Sequence, residues 1–266
     1  LKGYLLSLIG LSVIWSSSAL CLDTNSHTAA WGPTLKEDLR QDFLTFYSQP
    51  FLQKSGLFLG TAGILANTGL DGVVRKEWPY SVHGRGSNTL SHIGEKVGSL
   101  CWIYLPIYTT GLLLGNATRD TLVGEPLFHW GYRSLRAGIL GGVHQASLTY
   151  LLGSKRPSNG PSNWQPFHGS TGVSGHAFYG ALPFISAASL QQSPWAKAVF
   201  YGLSTLSGLS RIHTEHHYAS QVLLGWGLAY LSVAAVSEVE RPKSPLWTLA
   251  VVPQKGGYQL QTTVYF

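Results

Sequence analysis

At 266 residues, the chain is long enough to bury a full core as one domain, yet only 11% of its side chains are charged, against ~25% in ordinary soluble domains. The formal charge is +6 and no Lys/Arg run accounts for it, which argues against a nucleic-acid binder and for an anionic substrate or an anionic membrane surface. Cys21 and Cys101 are the only cysteines, too few for a disulfide framework, and no bridge is predicted.

Lys2 precedes the apolar run Tyr4–Trp15 and then Ser16-Ser17-Ser18-Ala19. That is the layout of a secretory signal cut after Ala19; a first membrane helix is the other reading. Residues 20–54 are polar and aromatic, with a break at Trp31-Gly32-Pro33. Within them Leu39, Phe43, Leu44 and Tyr47 fall at helical spacing, which predicts a surface helix over Lys36–Tyr47.

Six apolar segments, nearly free of charge, follow: Ser55–Leu70, Val97–Thr118, Ala137–Ser154, Ala177–Leu190, Ala196–Leu209 and Ala219–Ser237. Each is long enough for a helix, and together they predict an all-α bundle over 55–240. Asp71–Lys96 and Arg119–Arg136 read as charged loops. Pro157–Ser174, rich in Gly, Pro, Ser and Asn, reads as the frame of an active site. Val97–Thr118 is long enough to span a bilayer, which takes ~20 apolar residues, whereas Ser55–Leu70 and Ala177–Leu190 are short. The mean hydropathy of +0.09 is low for six spans. Spanning helices and a soluble bundle with buried central helices both remain open, the scarcity of surface charge favouring the membrane. In the tail, 241–266, Trp247–Pro253 and Tyr258–Phe266 are β-type runs joined by Gln254-Lys255-Gly256-Gly257, a short hairpin.

The chemistry concentrates in Ser210-Arg211-Ile212-His213-Thr214-Glu215-His216-His217-Tyr218-Ala219-Ser220-Gln221, a charged cluster between two apolar segments. Arg211 and, upstream, Arg156 each stand at the end of an apolar helix, and planar guanidinium groups suit bidentate phosphate contact. Two arginines that merely mark helix ends would look the same. Ser174-Gly175-His176 opens another apolar helix: Ser caps it, Gly lets a ligand approach the backbone, and free amides there bind phosphate. A plain cap followed by a core histidine is the bland alternative. His217 and Gln221 are four apart on one helix face, the arrangement of a positioned nucleophile or base, or of a satisfied polar helix start. His213 and His217 are also four apart, a spacing zinc sites use, but neither HExxH nor HxxEH is present; no metal and no cofactor are predicted.

Taken together, Arg156-Pro157, Ser174-Gly175-His176 and Ser210-Arg211-x5-His217 resemble the type 2 phosphatidic acid phosphatase superfamily over about residues 135–237. That group includes lipid phosphate phosphatases, bacterial nonspecific acid phosphatases and vanadium haloperoxidases, and its motifs are K-x6-RP, PSGH and SR-x5-H-x3-D. The resemblance implies that Arg156 and Arg211 hold phosphate oxygens, with Ser174 and the Gly175 amide adding hydrogen bonds. His217 would attack phosphorus, and His176 would protonate the leaving oxygen and then activate water. Three positions depart from the pattern. Thr149 stands where the family has Lys, with Lys155 next to Arg156; Val173 stands where it has Pro; and Gln221 stands where it has Asp. A glutamine oxygen still accepts the imidazole Nδ1–H and fixes the tautomer, but it does not stabilise an imidazolium as a carboxylate does. Gln221→Asp is therefore expected to keep or raise the rate.

The implied function is metal-independent hydrolysis of a phosphate monoester or diphosphate, lipid-linked, through a phosphohistidine. The site would lie on the non-cytoplasmic side of a cell-envelope membrane. A soluble periplasmic acid phosphatase and a non-catalytic envelope protein retaining the fold are the alternatives, the latter motivated by Thr149 and Gln221.

Overall fold

The computed structural model describes residues 35–82, 84–241, 247–254 and 257–264. The signal segment 1–19, the break at Trp31-Gly32-Pro33 and the hairpin's connecting pair Lys255-Gly256 lie outside them, as does Cys21 of the cysteine pair. The described chain is all-α apart from one hairpin. Its helices are α1 (Leu35–Phe46), α2 (Gln49–Asn67), α3 (Leu70–Val82), α4 (Arg85–Ser99), α5 (Cys101–Ala117), α6 (Gly124–Leu152), α7 (Gly175–Leu190), α8 (Pro194–His213) and α9 (Ala219–Glu240). Strand β1 (Trp247–Gln254) pairs antiparallel with β2 (Gly257–Val264), Gln254 opposite Gly257, the hairpin expected from the two β-type runs of the tail.

Helix α9 is apolar all round and sits at the centre, against α1, α2, α6, α7 and α8. Its packing relies on small residues. A Cβ added at Gly225 would stand 2.3 Å from the Ser174 carbonyl oxygen, and one at Gly141 of α6 would stand 2.4 Å from Ser232 Oγ on α9. Buried serines (Ser204, Ser207, Ser220, Ser232) continue the pattern, letting helix backbones approach closely. Local signals set the ends. Ser174 Oγ accepts from the Ala177 amide at 3.3 Å and caps α7; Ser193 caps α8 ahead of Pro194. Gly153 ends α6 at φ 53°, where any Cβ would collide with the Gln165 carbonyl.

Several expectations need correction. Asp71–Lys96 is not a loop but α3 and most of α4, and Arg119–Arg136 already contains the first turns of α6. Val97–Thr118 is not one helix: it breaks at Leu100, and α4 and α5 meet there at 75°. The reason α4 escapes a hydrophobic-period reading is its inner face, which is Ser91, Gly94 and Gly98 rather than large apolar residues. Helix α1 is more than a surface helix. Its Asp42 is fully buried and pairs bidentately with Arg136 of α6 at 2.6 and 2.8 Å. The same Arg136 also reaches Glu240 at the end of α9, and Glu240 pairs in turn with Arg133. The boundary drawn at residue 54 falls inside α2.

By length and composition, α9 is the one helix among the described residues able to cross a membrane alone. The bent pairs α2 with α3 and α4 with α5 each qualify if taken together.

The glycine contacts give a matched test. Gly225→Ala is expected to lower the melting temperature, by the ~1–3 kcal/mol that overpacking costs. Gly202→Ala, where an added Cβ meets nothing within 4 Å, is expected to be neutral or slightly stabilising. Thermal unfolding of both variants in the same detergent measures the difference.

Candidate active site

The Gln221 side chain makes four hydrogen bonds. Its Nε2 donates to Ser154 Oγ at 3.0 Å and to the Lys155 carbonyl at 2.9 Å. Its Oε1 accepts the Tyr218 amide at 3.2 Å and faces His217 Nδ1 at 2.8 Å. The Lys155 carbonyl only accepts and the Tyr218 amide only donates, so the amide has one orientation. His217 must therefore carry its proton on Nδ1, which leaves Nε2 with a free lone pair. The fixed tautomer expected from the i, i+4 spacing follows here from donor and acceptor roles alone.

His217 is 6% exposed, and its pKa is pulled down to about 4. Burial is the main cause; the Gln221 hydrogen bond opposes it, and the positive charges of Arg156 and Arg211, with His176, add to it. His176, at the start of α7, is held below the usual histidine range, first by partial burial and then by Arg211 and Arg156. Both rings therefore lie in the field of the same two arginines.

Arg211 is buried in the last turn of α8. Its carbonyl accepts the amides of His216 and His217, which folds the 214–218 turn back over it. Its Nη1 donates to Glu95 Oε1 at 3.1 Å, while its buried Nε has no partner. An unsatisfied guanidinium N–H in a buried position calls for an anion. Arg156 is exposed and makes no ion pair among the described residues. Ser174 donates its amide to the Gln221 carbonyl at 3.0 Å, so the α7 N-terminus with Gly175 is tied to the start of α9. Six of the seven predicted residues are thus linked by hydrogen bonds, chain adjacency or shared electrostatics around His217, and Arg156 joins them through its field.

The irregular stretch between α6 and α7 is bonded throughout. Ser154 Oγ donates to the Ser162 carbonyl, Ser162 Oγ to the Ala66 carbonyl and Tyr218 OH to the Gly160 carbonyl. Lys155 contributes its carbonyl to Gln221, while its side chain lies along Gly160. Thr149, where the family pattern has Lys, is bonded to Gln145 and the Val173 carbonyl instead.

The other two histidines of the cluster have different hydrogen-bond partners. His213 Nε2 is 2.8 Å from Asn88 Oδ1, and His216 Nδ1 is 2.8 Å from Thr214 Oγ1. His213 and His217 therefore do not converge, and among the described residues no three His, Cys, Asp or Glu side chains do.

Sequence reasoning missed four contributors. Glu95 sits on α4, which had been read as loop. Asp71 of α3 accepts the Ser220 amide at 3.0 Å and the Ser220 hydroxyl at 2.5 Å, capping α9. Arg75 clamps Glu215 and the Pro157 carbonyl. Ser154 completes the Gln221 amide. Only Asp71 had a legible signal, an acidic residue beside a turn glycine.

Gln221 gives two bonds that a carboxylate cannot give, which argues against Asp at this position being neutral or better. Gln221→Glu, of the same length, is expected to break the links to Ser154 and the Lys155 carbonyl and to raise the His217 pKa above about 4. A histidine titration by NMR reads the shift; an unchanged His217 titration would remove Gln221 as its partner.

Residues 136–244 match the family model of the PAP2 superfamily. Among solved structures, the chain is similar to the first transmembrane PAP2 type phosphatidylglycerolphosphate phosphatase from Bacillus subtilis. The identity is 17%, over 77% of this chain and 94% of that one, with a TM-score of 0.34. No curated protein matches. Arg156, Ser174, Gly175, His176, Arg211, His217 and Gln221 all fall inside the stretch that matches the PAP2 superfamily model.

Proposed function

We propose that the protein is a metal-independent phosphatase that hydrolyses a lipid-linked phosphate monoester or diphosphate through a phosphohistidine on His217. The observation that carries this reading is the His217–Gln221 pair beside an Arg211 whose buried Nε lacks a partner. A neutral ring with its lone pair fixed at Nε2 is a nucleophile, and an unsatisfied guanidinium edge is an oxyanion contact.

In the first step the Nε2 lone pair attacks phosphorus while the phosphorus–oxygen bond to the leaving group breaks. His176 gives its proton to that oxygen. In the second step His176 takes a proton from water, whose oxygen displaces His217 from phosphorus and releases inorganic phosphate. Arg156, Arg211, Ser174 and the Gly175 amide hold the equatorial oxygens in both steps. Glu95 engages Nη1 of Arg211, so the Nε and Nη2 edge is presented to the ligand.

The lipid assignment rests on the surface. Leu57 of α2 is 70% exposed, Leu113 of α5 62% and Trp195 of α8 83%, apolar faces of a kind that mark membrane contact. Together with α9 they support a membrane-embedded bundle, with the site at the non-cytoplasmic end as the family resemblance implies.

His217→Ala is expected to abolish both turnover and the acid-labile phosphoenzyme trapped by quenching. His213→Ala and His216→Ala should each retain a phosphoenzyme. A phosphoenzyme surviving in His217→Ala would overturn the assignment. Phosphate release from matched lipid and soluble esters in detergent decides the substrate class; equal rates on both would reject the lipid preference.

The pH profile has a definite sign. His217 must be neutral, so kcat/KM should rise as pH passes about 4. His176 must begin protonated, so kcat/KM should fall above its lowered pKa, on the acid side of 6.5. A profile still rising above pH 7 would contradict these roles.

Glu95→Ala frees the Arg211 guanidinium and is expected to weaken vanadate inhibition about tenfold, Glu95→Gln by less. Equal inhibition of both variants and the parent would show that Glu95 does not orient Arg211.

A further inference from the structure

A second cavity, of about 540 Å³, opens between the N-terminal turns of α2 and the C-terminal halves of α7 and α9, with α8 alongside. No part of the catalytic reading uses it. From Ala219 beside the catalytic cluster to Ser237 on the cavity wall, α9 rises ~27 Å at 1.5 Å per residue. That approaches the ~30 Å hydrocarbon thickness of a bilayer. The cavity and the candidate catalytic cluster thus stand at opposite ends of the one helix among the described residues able to span alone.

The walls divide by chemistry. Phe51, Ile185, Val233 and Ala234 form an apolar side. Lys54 and Arg241 bring positive charge. Arg241 shares its charge with Glu238 at 3.1 Å, while Lys54 makes no ion pair among the described residues and is exposed. The hydroxyls of Tyr201 and Tyr230, also on the wall, have no protein partner among the described residues. One turn from Lys54, Leu57 continues the apolar surface outward at 70% exposure. The volume lies within the ~300–1,000 Å³ of small-molecule sites and is far larger than a bare anion fills.

We propose that this cavity binds a single anionic phospholipid, its phosphate paired with Lys54 and its chains laid along Phe51, Val233 and the outer face of α2. A cation beside the C-terminal end of α9, next to apolar wall and exposed apolar surface, matches a lipid with a charged head better than a soluble anion, which gains nothing from the apolar half. The catalytic assignment is not required.

Native mass spectrometry of the full chain in detergent tests this, with phosphatidylglycerol and phosphatidylcholine offered together. Phosphatidylglycerol is a phosphodiester and is not a monoester substrate. The parent is expected to retain one phosphatidylglycerol per chain in preference to phosphatidylcholine. Lys54→Glu, at an exposed position, should reduce that retention at least about tenfold, and Ala234→Trp, which fills the cavity, should do the same. Equal retention of the two lipids, or unchanged retention in Lys54→Glu, would reduce the adducts to annular lipid and overturn the proposal. Competition by inorganic phosphate at equal concentration would assign the site to a free anion and overturn it equally.

Discussion

The site depends on one amide. Gln221 sits in the first turn of α9 and spends both donors and its acceptor on three different parts of the chain: the stretch after α6, the His217 ring and the Tyr218 amide. Three of the four contacts are buried, and losing one of those leaves a polar group unsatisfied, which costs about 1–3 kcal/mol. The residue that sets the tautomer of His217 is therefore also the one that docks the Gly153–Ser174 segment onto the helix end. A carboxylate would serve the first task and fail the second. Glutamine here is a different solution to holding the ring, with the frame of the loop built around it.

Close approach of helices positions the remaining groups. Gly94 and Gly98 let α4 lie against α8, where an added Cβ would meet the Leu206 carbonyl at 2.3 Å or Ser207 Oγ at 2.2 Å. That contact brings Glu95 to Arg211 and packs Gly98 against His176. Gly225 does the same between α9 and Ser174. Helices separated by larger side chains would leave the arginine, the two histidines and the capped end of α7 too far apart to share one ligand.

The two ends of the bundle have different characters. At the catalytic end, a buried guanidinium, Arg211, is left incompletely paired. At the other, Asp42, Arg136, Arg133 and Glu240 neutralise one another across α1, α6 and α9. Breaking such a buried set by removing one partner is costly, since it strands the others. This layer fixes the relative heights of α6 and α9, whose far ends carry Thr149 and Gln221.

By itself, the sequence determined the class of fold and singled out the candidate site residues. Apolar segments of helical length specify a bundle, and Arg156, Ser174-Gly175-His176 and Arg211 with His217 stand at helix ends where chain direction alone brings them to one side. The pairing of His217 and Gln221 was legible because both lie close in the chain at the start of α9, although His217 stands just before the N-cap Tyr218 and not on the helix itself. What only the tertiary structure decided involves partners distant in the chain. The break at Leu100, the helical state of 70–99 and the role of Glu95 depend on small-residue faces that carry no hydrophobic period. The orientation of Gln221 depends on Ser154 and the Lys155 carbonyl, more than sixty residues away. A hydrogen bond's direction is set by what lies at both ends, and the far end is placed only when the helices have packed.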